Sequence, residues 1–395
     1  MTEAASASLM RRLNRSAILN LIRTESPISR SEIARRLDVS LPTAMRIVED
    51  LIADDLVYFE GSEPSGGRRR PLLNFKGTAH TVIGVDLGGT KMYGTVTDLT
   101  GRILHSVRLP WQDNGGPDRA LDGLFRLLED LLAVAQTKGG RIRGIGIGAP
   151  GVTLSSTGTV VWAPSLGWRD LPLKGLLSER FATPVFVEND VNVAALGEFG
   201  FGVERNTPNL VCIAIGTGIG AGILVDGKLV RGHNQAAGEI GYFLPSTSYL
   251  GREYEDFGAF ESLASGNGIA ARAQQALEAH GSPLAAQRIS AEDVFQQARA
   301  GERWACQIID ETVDYLSQAL VAIAALLDPE AIVLGGGVAQ SADLLIGPIT
   351  RRLRGVIPYV PRIVASSLGP QAVVMGTIML VLDATTGHVM VNQRV

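Results

Sequence analysis

A chain of 395 residues is too long for one ordinary core, and 46% apolar against 19% charged residues places it among folded globular proteins of two or three domains. Its two cysteines, Cys212 and Cys306, exclude a disulfide framework and a cysteine-rich metal site, and no apolar run approaches the roughly 20 residues of a membrane span, so a cytoplasmic protein without membrane contact is expected; the N-terminal MTEAASASLMRRLNRS also lacks the apolar centre of a signal peptide. The net charge of −4 excludes a uniformly basic nucleic-acid binder but not a local basic face: residues 1–75 carry eleven Arg and no Lys against ten Asp/Glu (net +1), while the remainder carries 25 basic against 30 acidic residues (net −5).

From Asn14 to Glu25, Ala17, Ile18, Leu21 and Ile22 recur at helical spacing. SPISRSE then ends that helix and caps a second, with Ile33, Ala34 and Leu37 inward. A third helix starts behind Ser40 as N-cap, tolerates Pro42 in its first turn, and turns Ala44, Val48, Leu51 and Ile52 to the core. Two short helices joined by the turn DVSLPT can lay the second in a DNA major groove. Ser40, Thr43 and Arg46 then point outward. The Arg46 fork suits the two acceptors of guanine, and the hydroxyls of Ser40 and Thr43 suit phosphates.

VYFEG and PLLNF read as strands around SEPSGGRRRP, a wing whose glycines let Arg68, Arg69 and Arg70 reach a phosphate backbone or a narrow minor groove. The plainer alternatives are a three-helix cap with a solvated arginine and a charge cluster at a hairpin tip. Helix pair and wing together favour DNA.

Residues 77–80, GTAH, lead into alternating strands and helices. TVIGVDLGGTKMYGTVTD reads strand, glycine turn, strand, and LVCIAIGTGIGAGILVDGK repeats the grammar about 130 residues later, so two related halves are expected. Backbone N–H groups and a hydroxyl in such turns can cup phosphate oxygens: Gly88, Gly89, Thr90 and the adjoining Lys91 in one, Gly216, Thr217 and Gly218 in the other, facing each other across the halves. Neither is a Walker loop, since no GxxxxGK[ST] occurs. Asp86, at a strand end beside the first turn, can hold Mg²⁺ if ATP binds. AIVLGGGVAQ at 331–340 follows a helix of residues 307–327. Its Gly335, Gly336 and Gly337 either admit an adenine or ribose or make a strand-to-helix turn that needs small residues. GIGIGAPG at 144–151 reads as a buried strand and turn at the interface of the halves, without chemistry of its own.

In VFVENDVNVAALGEFGFG a strand delivers Glu188, Asn189 and Asp190 at its end and a helix begins at once. Asp190 can accept a hydroxyl proton as that oxygen attacks a γ-phosphate; it can equally cap the helix.

DLGGTK (86–91), ENDVNVAALGE (188–198), GTGIGAG (216–222), AAGEIG (236–241), ESLASG (261–266) and LGGGV (334–338) resemble, in order, the signature segments of the ROK family (repressor, open reading frame, kinase), in the branch with an N-terminal winged helix. The resemblance implies a winged helix-turn-helix over 1–76, then an α/β body of the actin, Hsp70 and hexokinase type: a smaller RNase H-like domain over 80–190 with the C-terminal helix 373–395, a larger one over 191–372, and a cleft between. A homodimer or dimer of dimers is implied. It also makes Asn189 and Asp190 sugar ligands, with Asp190 the catalytic base, and Glu239 and Glu261 further acceptors for pyranose hydroxyls.

One departure is large. The family's zinc site uses a histidine closing GEIGH and three cysteines in a following loop. Here Tyr242 closes that segment and FLPSTSYLGREYEDFGAFE holds no cysteine, so no structural zinc is expected, His233 alone being insufficient. The loop is then either held by packing of Phe243, Tyr249, Tyr254 and Phe257 or mobile, and Tyr242 stands where the histidine touches sugar; glucose is the default ligand. Two functions follow: a sugar-responsive DNA-binding regulator, and an ATP-dependent hexose kinase with an appended DNA-binding domain. A scaffold without either activity leaves the glycine turns and the END cluster unexplained.

Overall fold

A computed structural model of the chain describes residues 3–65, 68–89, 91–110, 116–253 and 258–386. The chain divides into two compact units, one of Met1–Asp190, Asp226–Lys228 and Val374–Val395, the other of Val191–Val225 and Leu229–Val373.

The first unit opens with α1 (Glu3–Glu25), β1 (Ile28–Ser29), α2 (Arg30–Arg36), α3 (Leu41–Ala53), β2 (Val57–Ser65) and β3 (Arg68–Phe75). Helix α1 starts well before Asn14, because Ala, Leu, Met and Arg are good helix formers even where no apolar stripe announces them. SPISRSE is not a simple cap: Ile28 and Ser29 pair antiparallel with Leu73 and Leu72 of β3, and the Ser29 side chain makes no capping bond to α2. Ser40 does cap α3, its Oγ accepting from Thr43 N at 3.3 Å. Ala44, Ile47, Val48 and Leu51 are buried, whereas Ile52, expected inward, is half-buried and Leu37 only partly covered. The 44/47/48/51 spacing makes one stripe, and position 52 lies about 100° off it.

The wing also differs from expectation. Its strands run to Ser65 and from Arg68, a register shift between Phe59 and Ser62 around left-handed Gly61 letting β2 continue, so Arg68–Arg70 stand on β3 rather than in a loop. Pro64 is tolerated because β2 is the edge of the order β1-β3-β2.

The first lobe follows: β4 (His80–Leu87), β5 (Lys91–Asp98), β6 (Ile103–Pro110), α4 (Gly116–Thr137), β7 (Arg141–Ala149), β8 (Val152–Leu154), β9 (Thr159–Ala163), β10 (Trp168–Leu171), α5 (Leu173–Arg180) and β11 (Val185–Asn189). The main sheet has the order β11-β7-β4-β5-β6, with β4–β5–β6 antiparallel and β4–β7–β11 parallel. Buried Ile83, Val85, Leu127, Leu131, Ile145 and Ile147 form its core.

The second unit contains α6 (Asp190–Phe201, from Val191 onward), β12 (Leu210–Ile215), β13 (Ile219–Val225), β14 (Lys228–Leu229), α7 (Glu261–Ala264), α8 (Gly266–Ala279), α9 (Ala291–Arg299), α10 (Arg303–Leu327), β15 (Ala331–Gly335), α11 (Ala342–Leu353) and β16 (Arg362–Ala365). Its sheet order, β14-β13-β12-β15-β16, repeats that of the first lobe: an antiparallel glycine-turn hairpin, then parallel strands on the other side. Asn192–Gly200 of α6 are all buried, which is why apolar residues stand on every face of that helix, with Asn192 and Glu198 buried among them. Ile213, Ile215, Phe260, Phe295, Leu316 and Leu320 sit in this core. The cysteines stay free, Cys212 buried and Cys306 exposed.

The final helix α12 (Ala372–Thr386) returns to the first lobe. GIGIGAPG supplies the buried strand expected of it, and the packing of α12 accounts for its Gly146. Gly144, Gly146 and Gly148 lie on β7, inside the first sheet, and a Cβ at Gly146 would stand 2.7 Å from Thr377 Cβ on α12, one at Gly84 2.3 Å from Thr377 Oγ1. Gly146→Ala is therefore expected to destabilise the first lobe by about 1–3 kcal/mol through overpacking. Thermal unfolding checks this: a lowered Tm is expected, and an unchanged one contradicts the close approach.

Candidate functional site

Helix α3 presents Leu41, Pro42, Met45, Arg46 and Glu49 to solvent. The Ser40 and Thr43 hydroxyls lie 2.8 Å apart and hydrogen-bond each other at the exposed start of the helix. Arg69 and Arg70 are exposed on β3, and Arg70 Nη1 donates to Ser31 Oγ of α2 at 3.1 Å, which ties the wing to the helix pair. Arg68 is placed by its pairing with Ser65. Gly66 and Gly67 lie outside the described residues.

In the first lobe the polar residues collect where parallel strands end, the place at which open α/β sheets bind ligands. Asp86 and Glu188 both pair with Gly148, so they share a row across β4, β7 and β11, with roughly 10 Å between their Cα atoms from two strand spacings. Asn189 follows, its Nδ2 donating to Gly151 O at 3.0 Å, while buried Glu188 accepts from Asn189 N at 2.9 Å. Asp190 opens α6, where an anion meets the positive end of the helix dipole.

The β4–β5 turn is closed by Gly88 N donating to Lys91 O at 3.0 Å. Thr90 lies outside the described residues. Gly89 has no room for a side chain: a Cβ would stand 2.8 Å from Ser165 Cβ, on the 3-10 turn Pro164–Leu166. Ser165 is thus a neighbour of the turn that the sequence reading missed, since WAPSLGW has turn chemistry but no recognisable motif. Burial pushes Asp86 up to about 6, partly offset by Lys91.

In the second lobe Gly216 N closes the β12–β13 turn on Gly218 O at 2.9 Å, with Thr217 exposed at its tip. Glu261, first residue of α7, is held against this turn: its Oε2 accepts from Ile219 N at 2.8 Å. A Cβ at Gly218 or Gly241 would come within 3.0 or 2.9 Å of that oxygen. The glycine turn and the ESLASG segment therefore form one local structure, which spacing alone does not reveal.

Glu261 acts electrostatically on Glu239, and both carboxylates act on Tyr242. Burial raises Glu239 and Glu261 above the usual carboxylate range; repulsion from Glu261 adds to the first, and the Ile219 N–H moderates the second. Tyr242 is raised by burial and by both carboxylates, although its ring is 58% exposed. Apolar walls that desolvate Glu239 belong to a cavity of about 270 Å³ lined by Val211, Ile223, Phe243 and Ile323 among others.

Gly336 is set by packing: its φ is +81°, and a Cβ would meet Ile215 O at 2.4 Å. Gly335 ends β15, and Gly337 faces open space, with no atom within 4 Å of an added Cβ. The preceding helix α10 begins at Arg303, four residues before the expected 307. In the loop after Tyr242, Phe243 packs at 6.4 Å from the Phe260 ring and Tyr249 lies beneath Arg252; Tyr254 and Phe257 lie outside the described residues. Among the described residues no group of three or more His, Cys, Asp and Glu side chains could hold a metal ion, and no helix is long and apolar enough to cross a membrane.

The model of the ROK family matches residues 82–384, and that of a winged helix-turn-helix DNA-binding domain matches residues 11–58. The xylose repressor of Caldicellulosiruptor bescii is 28% identical over 390 residues, covering 95% of this chain and 97% of that protein. A crystal structure of a ROK family transcriptional regulator, homolog of the E. coli MLC protein, superposes with a TM-score of 0.84 at 25% identity, over 96% of this chain and 98% of that one. A ROK family glucokinase from Streptomyces griseus, in complex with glucose and AMPPNP, superposes with a TM-score of 0.65 at 30% identity, over 76% of this chain and 98% of the other. The chain belongs to the ROK family, its ROK body preceded by a winged helix-turn-helix DNA-binding domain.

Proposed function

We propose that the chain is a sugar-responsive DNA-binding transcriptional repressor, cytoplasmic and at least dimeric, whose ROK body binds the sugar that sets its affinity for DNA. One observation carries this reading: similarity to the xylose repressor and to the MLC-like regulator runs through winged helix and body alike, whereas the glucokinase matches 76% of the chain. In this reading Arg46, Arg68, Arg69 and Arg70 face DNA, with Ser40 and Thr43 at phosphates. Asn189, Asp190, Glu239, Tyr242 and Glu261 line the sugar site, which the glucokinase–glucose complex supports as to ligand class. The domains divide as winged helix 1–76, smaller lobe 80–190 with 373–395, and larger lobe 191–372, and closure of the two lobes on sugar moves the winged helices of a dimer out of register with their half-sites.

Mg·ATP binding is the second element of the proposal, because the glucokinase is bound to AMPPNP and each lobe, taken by itself, offers groups of the right chemistry. Asp86 offers a carboxylate for the cation, Gly88, Gly89 and Thr217 offer backbone at the turns, and the space beside Gly216 and Gly337 is open, with no atom within 4 Å of an added Cβ. Kinase activity is a second reading, favoured by the position of Asp190 at a strand end beside the row that contains Asp86. Incubation with Mg·ATP and a panel of pentoses and hexoses, following ADP, together with binding to upstream DNA, separates the two. Turnover without DNA binding contradicts the regulator; release from DNA without turnover contradicts the kinase.

The raised Asp86 value gives a pH prediction. Cation binding needs the carboxylate, so with a value of about 6 the Mg·ATP affinity should fall roughly fourfold from pH 7.5 to 5.5, relative to an Asp86→Asn reference that cancels the nucleotide's own titration. Folding stability moves the other way: because the folded value exceeds the unfolded 3.8, this group's contribution is fully present below that value and is lost as pH rises through about 6. Titration calorimetry at the two pH values tests the first statement, and equal affinity ratios for wild type and Asp86→Asn contradict it.

A further inference from the structure

The solvent face of α3 is unusually poor in hydrogen-bonding groups for a surface that would read bases. Its exposed positions, 41, 42, 45, 46 and 49, hold Leu, Pro, Met, Arg and Glu. Leu41 is 45% exposed and Met45 37%, one helical turn apart on one stripe, while Ala44, Ile47, Val48 and Leu51 fill the core without them. The hydroxyls of Ser40 and Thr43, which hydrogen-bond each other at the start of the helix, belong to the phosphates in the reading above, and Glu49 lies 4.0 Å from Arg30 of α2. The helix, LPTAMRIVEDLIA, contains no Asn or Gln, the side chains that pair with adenine through two hydrogen bonds. An A·T pair can still be distinguished in the major groove by the C5-methyl group of thymine, which takes apolar contacts.

We propose that α3 selects its DNA chiefly through thymine methyl groups, with Leu41 and Met45 as the readers, Pro42 alongside, and Arg46 as the principal polar base contact. The proposal rests on the regulator reading above and names what that interface recognises: a T-rich major groove with an isolated guanine. Met45 suits the part because its unbranched thioether adapts to the position of a methyl group. Leu41 sits at the first position of the helix, the end that approaches the bases in this motif.

The test uses the full chain without added sugar. Selection from a random duplex library gives a consensus, and each consensus thymine is then replaced by deoxyuridine, which lacks only the methyl. At one to three positions affinity should fall about fourfold per methyl. Met45→Ala and Leu41→Ala should each abolish the loss at one such position while keeping it at the others, and Met45→Leu should restore it. The slope of affinity against salt should stay unchanged in these variants, because no phosphate contact is removed. Deoxyuridine without effect at every thymine, or losses equal in wild type and variants, overturns the proposal while leaving a DNA-binding regulator intact. Variants that change the oligomeric state and leave DNA binding alone assign the apolar pair to protein contact and overturn it too. A selection that enriches no sequence defeats the regulator reading itself.

Discussion

Arg46→Ala is expected to weaken binding to the selected operator by about 10–100-fold, the 1–3 kcal/mol carried by a good bidentate base contact. Arg46 is exposed on α3 beside Met45, and no ion pair among the described residues restrains it, so its removal leaves the packed face of the helix untouched. The loss should be concentrated on sequences carrying the contacted guanine. Affinity for random duplex should change little, because non-specific binding comes from phosphate contacts. Sugar affinity should stay at its wild-type value, as Arg46 lies outside both sheets of the body. Electrophoretic mobility shifts on cognate and scrambled duplexes, with calorimetry for sugar, measure all three. Equal losses on both duplexes would reassign Arg46 to the backbone.

Asp190→Asn should lower any phosphoryl transfer from ATP to sugar about 10²–10⁴-fold, the usual contribution of a general base. The amide keeps the size of the side chain and can still donate and accept hydrogen bonds, but it cannot take the hydroxyl proton. The start of α6 should survive the change, since Asn also tolerates a helix start and Asn192–Gly200 remain buried. Operator affinity without sugar should equal that of the wild type. A steady-state assay of ADP release checks the claim, and undiminished turnover in the variant removes Asp190 from the chemistry.

Much of this was legible in the chain itself. The paired strand–glycine–strand segments foretold two related halves, because a tight turn between two strands closes as a hairpin, and β4–β5 and β12–β13 are such hairpins. Ser40 was readable as a cap because its hydroxyl sits three residues before an amide that needs an acceptor. Non-local pairing was not readable. The two residues of β1 make a strand only because β3 lies beside them, and the wing arginines join a strand because Gly61 shifts the register. GIGIGAPG read as a buried strand and turn, but nothing in it showed that Gly146 makes room for Thr377, more than 230 residues downstream.

The same limit applied at the site. DLGGTK, END, GTG and ESLASG were each recognisable, yet the hold of Ile219 N–H on Glu261 and the cover of Gly89 by Ser165 depend on folding that brings distant segments together. The raised values of Glu239 and Glu261 likewise arise from burial, with repulsion from Glu261 added at Glu239, and neither cause has a sequence signature.

Linkage gives the most direct test of sugar control over DNA binding. A sugar that binds the body should be titrated by calorimetry against the full chain, free and saturated with operator. The account predicts that operator weakens sugar binding by about 5–150-fold, and that saturating sugar weakens operator binding by the same factor, as reciprocity of binding free energies requires. A sugar that binds with one affinity whether or not operator is present would contradict it.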